Sequence, residues 1–155
     1  MGGSSGESAL DPPTAGAERV LSSGREKSLQ AKRLKEHDMS DANELLRINL
    51  NEVTSERDPE RRRAAIERAY VEDLWFLDSE AEVVGRQAFS DRVQKIIDNA
   101  PADFVLEADG PAYVGPDTAA QPWRFGPPGN PVLRGMDVLT LRDGKVSAVR
   151  GLVAG

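Results

Sequence analysis

The chain contains no cysteine, and its single histidine, His37, lies in the N-terminal quarter. Without cysteine there are no disulfides, no thiolate nucleophiles and no zinc sites built on sulfur. An acid or base in the later part of the chain must therefore be Asp, Glu, Tyr, Lys or Arg. The acidic residues lack metal-ligand spacing and no phosphate-binding glycine loop occurs, so we expect neither a metal nor a cofactor.

Long apolar runs are also missing. No segment approaches the roughly 18 apolar residues that span a bilayer, and the N-terminus lacks the apolar stretch of a secretory signal. The 155 residues carry 20 basic and 26 acidic side chains, a net charge of −6. Such a chain lacks the basic surface that binds nucleic acid, and anionic lipids repel it. The sequence predicts a cytoplasmic protein with no nucleic-acid and no membrane partner.

The first 38 residues differ in composition from the rest of the chain. Residues 1–25 are rich in Gly, Ser, Pro and Ala without any apolar period, so burial cannot offset the entropy lost on ordering them. Residues 26–38 are charged and weakly helical. We therefore expect a disordered leader or upstream extension over residues 1–38. Residues 39–155 have the length of one domain with a single core.

In residues 39–155, most predicted helices lie in the first half and most predicted strands in the second. One helix is expected after a Ser40/Asp41 cap, a second after Asp58-Pro59, and a third from about Arg86 to Asp98. The strand candidates are Leu74–Asp78, Phe104–Ala108, Ala112–Val114, a piece centred on Trp123–Phe125, Val132–Leu141 and Val146–Val153. Three helices followed by an antiparallel meander indicate an α+β fold rather than βαβ units.

Asp137 is the most unusual polar residue in these strands. It shares the parity of Leu133, Leu139 and Leu141, so its carboxyl points to an apolar face. Burial of a carboxyl without a cation favours its protonated form and raises its pKa. Such a group can donate a hydrogen bond to an oxyanion or act as a general acid.

The hairpin register at residues 143–144 decides what faces Asp137. A two-residue turn places Asp137 opposite Arg150, as an ordinary ion pair. A three-residue loop with its glycine in a left-handed bulge shifts the partner by one, so that Asp137 faces Val149 and Gly151. We favour the bulged loop, because it keeps a long cation off the apolar face.

Asp78 is the second candidate carboxyl. It lies at the end of the strand Leu74–Asp78 on the same side as Phe76, where a carboxylate would move a proton across a bound substrate. The alternative is that Asp78 caps the turn that follows it.

An apolar pocket is expected between the helices and the sheet. Trp123 and Phe125 alternate about Arg124 and form an aromatic wall, although core packing explains the pair equally well. Tyr113 is a candidate hydroxyl donor at the rim. The expected pocket residues are Phe76, Phe104, Tyr113, Trp123, Phe125, Leu139 and Val149.

Three segments resemble the nuclear-transport-factor-2-like superfamily: DPERRRAAIERAYVEDLWFLD, VVGRQAFSDRVQKII and GMDVLTLRDGKVSAVRGL. The resemblance covers about residues 43–153, and the nearest branches are SnoaL-like polyketide cyclases and ketosteroid isomerases. It implies a cone (cystatin-like) in which a curved antiparallel sheet wraps helices. The isomerases carry a general-base Asp where this chain has Asp78 and an oxyanion-hole Asp where it has Asp137. Their oxyanion-hole Tyr is missing, since the matching region reads ELLRINL.

Two hypotheses follow. The first is a cofactor-free isomerase or cyclase that moves a proton on a small apolar carbonyl or polyketide-like (steroid-like) compound, with Asp78 as base and Asp137 as acid or oxyanion donor. The second is a non-catalytic ligand-binding or dimerisation module of the same fold. In the enzyme both carboxyls line one dry cavity, whereas in the module at least one is exposed or paired.

A homodimer is expected under either hypothesis. Members of the resembled family commonly pair through the open sheet face, and Val132, Met136 and Val138 leave apolar surface opposite Asp137.

Overall fold

The computed structural model describes residues 24–155, without the side chains of residue 31 and residues 33–40. Backbone contacts divide the chain into Met1–His37 and Asp38–Gly155, and the second unit contains both candidate aspartates, Asp78 and Asp137. The expected disorder of the leader falls largely on residues 1–23, which lie outside the described residues. The backbone of residues 24–38 is helical.

In residues 24–155, three α-helices and one π-helical segment precede or interrupt the strands. Their bounds are α1 Gly24–Arg47, the π-helical segment Ile48–Thr54, α2 Pro59–Ala69 and α3 Arg86–Asn99. The predicted helix start at Ser40/Asp41 is wrong, because α1 runs through both residues and no proline or glycine interrupts it there. The predicted start of α2 is confirmed, since the Asp58 carboxylate accepts the backbone N–H of Glu60 at 2.9 Å. Within the described residues, no helix has both the length and the hydropathy to cross a membrane.

Seven strands form one curved, open sheet. Their bounds are β1 Tyr70–Leu77, β2 Glu82–Val84, β3 Val105–Ala108, β4 Tyr113–Val114, β5 Thr118–Gly126, β6 Leu133–Arg142 and β7 Lys145–Val153. The order is β2-β1-β7-β6-β5-β3, with β4 paired to β5. The α+β class is confirmed. The sheet is mixed rather than wholly antiparallel, because β1 joins the last strand of the chain, β7, in parallel.

The turn between β6 and β7 contains two residues. Asp143 and Gly144 have φ angles of 53° and 76°, and Arg142 pairs with Lys145 across them. Positive φ at both central residues matches the right-handed twist of the two strands, and Asp-Gly is a favoured sequence for it. The predicted three-residue loop is therefore wrong.

A β-bulge in the same hairpin, three residues after the turn, shifts the register by one residue. Ser147 is the extra residue of β7, since Thr140 pairs with Ala148 while the next residue of β6 pairs with Val146. Beyond the bulge Asp137 pairs with Gly151, one of the two residues predicted to face it, whereas Val149 pairs with Leu139. The predicted cause of the shift, a three-residue loop, is wrong.

The core lies between the helices and the Asp137 face of the sheet. Leu139 and Val149 pair across β6 and β7 and are completely buried. Phe89 of α3 packs against Phe76 and Tyr70 of β1, with ring centroids 5.1 and 5.4 Å apart. Side chains two residues apart on a strand lie on the same face of the sheet. Asp137 lies two residues before the buried Leu139, so its carboxyl also points into the core.

Candidate functional site

Asp137 lies on β6 with its side chain in the interior, and the residue is 9% exposed. The side-chain amide of Asn49 donates a hydrogen bond to Oδ2 at 2.9 Å, and the indole N–H of Trp123 donates to Oδ1 at 3.0 Å. The Arg150 guanidinium lies over the ring of Trp75, 4.8 Å from its centroid. The alternative interpretation, an Asp137–Arg150 ion pair, is therefore wrong.

The environment of Asp137 favours its protonated form. Burial raises its pKa to about 6, against the lowering effect of the hydrogen bonds from Asn49 and Trp123, and the negative charge of Asp78 adds to the rise. A carboxyl that titrates near pH 6 exchanges its proton readily near neutral pH, which is what general acid–base chemistry requires.

The π-helical segment supplies the amide that contacts Asp137. Asn49 is 1% exposed, and its Oδ1 accepts a hydrogen bond from the Tyr70 hydroxyl at 2.5 Å. Tyr70 begins β1 and is completely buried. Wide helical turns of this kind occur often at functional sites. Tyr70, Asn49, Asp137 and Trp123 thus form a continuous hydrogen-bonded chain.

Gly135 makes room for the indole of Trp123. The two residues pair directly across β5 and β6. A Cβ atom on Gly135 would lie 2.4 Å from Cζ2 of Trp123 and 2.1 Å from the carbonyl oxygen of Leu152. Because that position is empty, the indole crosses β6 and its N–H reaches Asp137.

Asp78 follows the last residue of β1, and both of its carboxylate oxygens accept hydrogen bonds. Nε and Nη2 of Arg92 donate to Oδ2 at 2.9 and 2.7 Å, while the backbone N–H groups of Glu80 and Ala81 donate to Oδ1 at 2.9 and 2.8 Å. The hydrogen bonds to Oδ1 are those expected if Asp78 caps the turn that follows β1. A role as general base stays a prediction, and Asp78 would have to release Arg92 to accept a proton.

Gly151 of β7 brings the two aspartates together. A Cβ on Gly151 would lie 3.5 Å from the Cβ of Asp78 and 3.7 Å from Oδ1 of Asp137. Both distances are ordinary van der Waals contacts. The Cβ of Asp78 and Oδ1 of Asp137 therefore both lie beside Gly151, where only a methyl-sized position separates them.

The other predicted pocket residues separate into three groups. Phe76, Leu139 and Val149 belong to the buried core. Phe104 and Phe125 pack edge to face with ring centroids 5.1 Å apart. Tyr113 lies on the short strand β4 and is 58% exposed. Trp123 is the predicted pocket residue that hydrogen-bonds to Asp137.

Sequence reasoning missed three residues of the site: Asn49, Tyr70 and Arg92. No local pattern singled out Tyr70 at the start of β1 or Arg92 on α3. Asn49 carried a usable signal, because it is a polar residue between the apolar residues Ile48 and Leu50 at a helix end. Amides in such positions are buried with hydrogen-bond partners.

A surface depression of about 100 Å³ lies near the turn between β6 and β7, where Leu45, Leu141 and Arg142 contribute to its lining. Asp137 does not line it. No group of three or more acidic or histidine side chains in the described part of the chain is arranged to hold a metal ion. The candidate site is the enclosed Asp137 carboxyl with its hydrogen-bond donors Asn49 and Trp123.

Several solved structures share this fold. A candidate isomerase of the SnoaL-like family from Agrobacterium tumefaciens is 23% identical, with a TM-score of 0.68 over 75% of this chain and 99% of that one. A candidate SnoaL-like polyketide cyclase from Jannaschia sp. is 15% identical, with a TM-score of 0.61 over 74% and 85%. A cystatin-like protein of unknown function from Xanthomonas campestris is 15% identical, with a TM-score of 0.57 over 74% and 91%. At these identities the likeness shows the fold alone.

Sequence comparison gives the family. No curated protein sequence matches the chain significantly. The family model of the SnoaL-like domain matches residues 50–149, a span that runs from the π-helical segment to β7 and includes both aspartates. That span is more than half of the chain, so the protein belongs to the SnoaL-like domain family, as its resemblance to the nuclear-transport-factor-2-like superfamily implied.

Proposed function

We propose that the domain is a cofactor-free isomerase or cyclase that moves a proton on a small, apolar, polyketide-like carbonyl compound. The observation that carries the proposal is the Asp137 carboxyl, which is enclosed, hydrogen-bonded to neutral donors and raised in pKa to about 6. A carboxyl held in this way alternates between base and acid near neutral pH.

The reaction begins with Asp137 ionised. Its carboxylate accepts a proton from a carbon next to the substrate carbonyl, because the resulting carbanion is delocalised onto the carbonyl oxygen. The same carboxyl then returns the proton to a second carbon in an isomerisation, or to the alkoxide formed by ring closure in a cyclisation. One residue performs both transfers, so the ion pair between Asp78 and Arg92 does not have to open.

In the proposed reaction Asp78 acts through its negative charge and transfers no proton. Its Cβ lies 3.5 Å from the position that a Cβ of Gly151 would occupy, and its negative charge raises the pKa of Asp137. Arg92 holds it in that place with two hydrogen bonds to Oδ2.

Deuterium exchange tests the proposal without knowledge of the natural substrate. Cyclic 1,3-diketones and unsaturated ketones would be incubated with the protein in heavy water, and exchange at the acidic carbon followed by proton NMR. We expect catalysed exchange that Asp137→Asn lowers by at least about a hundredfold, the lower range of a general base's contribution. Asp103→Asn, which changes an exposed carboxyl, is the matched control. Exchange by the Asp137→Asn variant at the wild-type rate would rule the mechanism out.

One observation favours the second candidate, a binding module without chemistry. Asp78 is paired with Arg92, and both side chains are largely enclosed, at 13% and 12% exposure. If the domain is a binding module, we expect saturable binding of apolar carbonyl compounds, measured by calorimetry. Deuterium exchange should then not exceed the rate of the Asp137→Asn variant. Catalysed exchange in the wild-type protein decides for the enzyme.

A further inference from the structure

We propose that Tyr70 and Asn49 are positioning residues that keep Oδ2 of Asp137 a hydrogen-bond acceptor and thereby direct proton transfer to Oδ1, over Gly151. The transfer itself rests on the proposed function. The selection of one oxygen rests on the hydrogen-bonded chain alone and has its own test.

The selection starts at the Tyr70 hydroxyl, which has a single hydrogen to donate. It donates that hydrogen to Oδ1 of Asn49 at 2.5 Å, inside the core. Since an amide carries its acceptor and its donor on opposite sides, the NH₂ group of Asn49 then has to face Asp137. It donates to Oδ2 at 2.9 Å. Oδ2 of Asp137 is therefore held as a hydrogen-bond acceptor.

A proton on Oδ2 would disturb this arrangement. The new O–H would meet the NH₂ group of Asn49, and two donors would oppose each other. A half-turn of the amide would relieve the conflict, with Oδ1 of Asn49 accepting from Asp137 and its NH₂ group donating to the Tyr70 oxygen. The Tyr70 hydrogen would then lose its acceptor although the side chain is completely buried. Loss of a buried hydrogen bond disfavours that state by roughly tenfold or more.

Oδ1 meets no such obstacle. It accepts one hydrogen bond, from Trp123, and a carboxylate oxygen has room for a second partner. It also lies 3.7 Å from the position that a Cβ of Gly151 would occupy. In the proposed reaction a proton therefore enters or leaves Oδ1 on the side of Gly151.

The titratable and charged groups around Asp137 come from two elements, β1 with the residue that follows it and α3. Asp78 follows β1, Arg92 of α3 binds Asp78, and Tyr70 begins β1 with a pKa raised by burial and by the charge of Asp137. Asp78 borders Gly151 and therefore acts on the Oδ1 side. Neither Asn49 nor Trp123 titrates, so these two side chains report on the two oxygens separately.

An NMR titration of the wild-type chain from pH 4 to 8 tests the selection. The indole N–H of Trp123 reports on Oδ1 and the side-chain NH₂ of Asn49 reports on Oδ2. We expect the indole resonance to follow the Asp137 carboxyl ¹³C signal, while the Asn49 resonances move far less. Equal or larger movement of the Asn49 resonances would overturn the inference. No substrate is needed, so this result stands whether or not the chain catalyses deuterium exchange.

Tyr70→Phe provides the second test, with Tyr113→Phe as its control because Tyr113 is exposed on β4. Without the hydroxyl the Asn49 amide is free to turn and to accept from a protonated Oδ2. We expect the pKa of Asp137 to rise by about one pH unit, a tenfold shift in protonation, and the Asn49 resonances to follow the titration. If Tyr70 only fills the core, stability falls but the wild-type pattern of resonances remains. If Tyr70→Phe does not fold, the wild-type titration decides.

Discussion

Asp137 and Gly151 lie directly opposite each other on β6 and β7, and Oδ1 of Asp137 lies 3.7 Å from the position that a Cβ of Gly151 would occupy. The β-bulge at Ser147 creates this pairing. Without the bulge, the two-residue turn would put Arg150 opposite Asp137, and the carboxyl would be neutralised. The extra residue in β7 therefore prevents an ion pair between Asp137 and Arg150 and leaves the carboxyl available for proton transfer.

The pH dependence of stability tests the burial of Asp137. Its folded-state pKa of about 6 lies above the ordinary value of 3.8, so the folded state binds the proton more tightly. Its contribution to stability is fully present below about pH 4 and is lost as the pH rises to about 6, by roughly 3 kcal/mol. Urea unfolding of wild type and Asp137→Asn at pH 4 to 7 measures it. We expect the wild type to lose stability relative to the variant over this range, whereas parallel curves would contradict the burial.

Two glycine substitutions test whether a glycine is needed for substrate binding or for folding. In Gly151→Ala the added methyl fits at ordinary contact distances, so the free energy of unfolding should change by less than about 1 kcal/mol. It fills the gap beside Oδ1, so deuterium exchange should fall at least about tenfold. Gly135→Ala meets a backbone oxygen and the Trp123 ring and should destabilise the domain by about 2 kcal/mol or more. Thermal unfolding and the exchange assay distinguish the two, and unchanged exchange in Gly151→Ala would show that substrate does not bind there.

Two arginine substitutions compare an enclosed ion pair with an exposed one. Arg92→Met leaves the Asp78 carboxylate without its cation where both side chains are largely enclosed. We expect a loss of about 1–3 kcal/mol in the free energy of unfolding, because a poorly hydrated charge remains. The matched variant Arg142→Met breaks an exposed pair with Asp73 and should change stability by less than about 1 kcal/mol. Equal effects in urea unfolding would show that the Asp78 pair is fully hydrated.

The outer face of the sheet is the surface where we expect a homodimer to form. Met136 and Val138 alternate with Asp137 and so lie on the opposite face of β6, and Leu152 pairs with Met136 and is 51% exposed. Sedimentation at rising concentration should show a dimer, and Leu152→Glu should shift it toward monomer because the partner would have to bury a charge. Glu72→Gln is a surface control. A wild type that stays monomeric at high concentration would rule the dimer out.

The sequence by itself determined the features that depend on near neighbours. The Asp58-Pro59 start of α2, the helix from Arg86 and the strand parity of Asp137 all follow from capping, apolar period or alternation within a few residues. The same local rules failed at Ser40/Asp41, because good capping residues do not end a helix when the residues before them also favour one.

The tertiary structure decided what depends on residues far apart in the chain. Asn49 and Asp137 are 88 residues apart, and no local pattern relates an amide in a π-helical segment to a carboxyl on β6. Likewise, the parallel pairing of β1 with β7 brings Asp78 beside Gly151, and α3 supplies Arg92 to Asp78. Alternation indicates that a carboxyl points inward, but its protonation depends on the charges and donors that the folded chain brings around it.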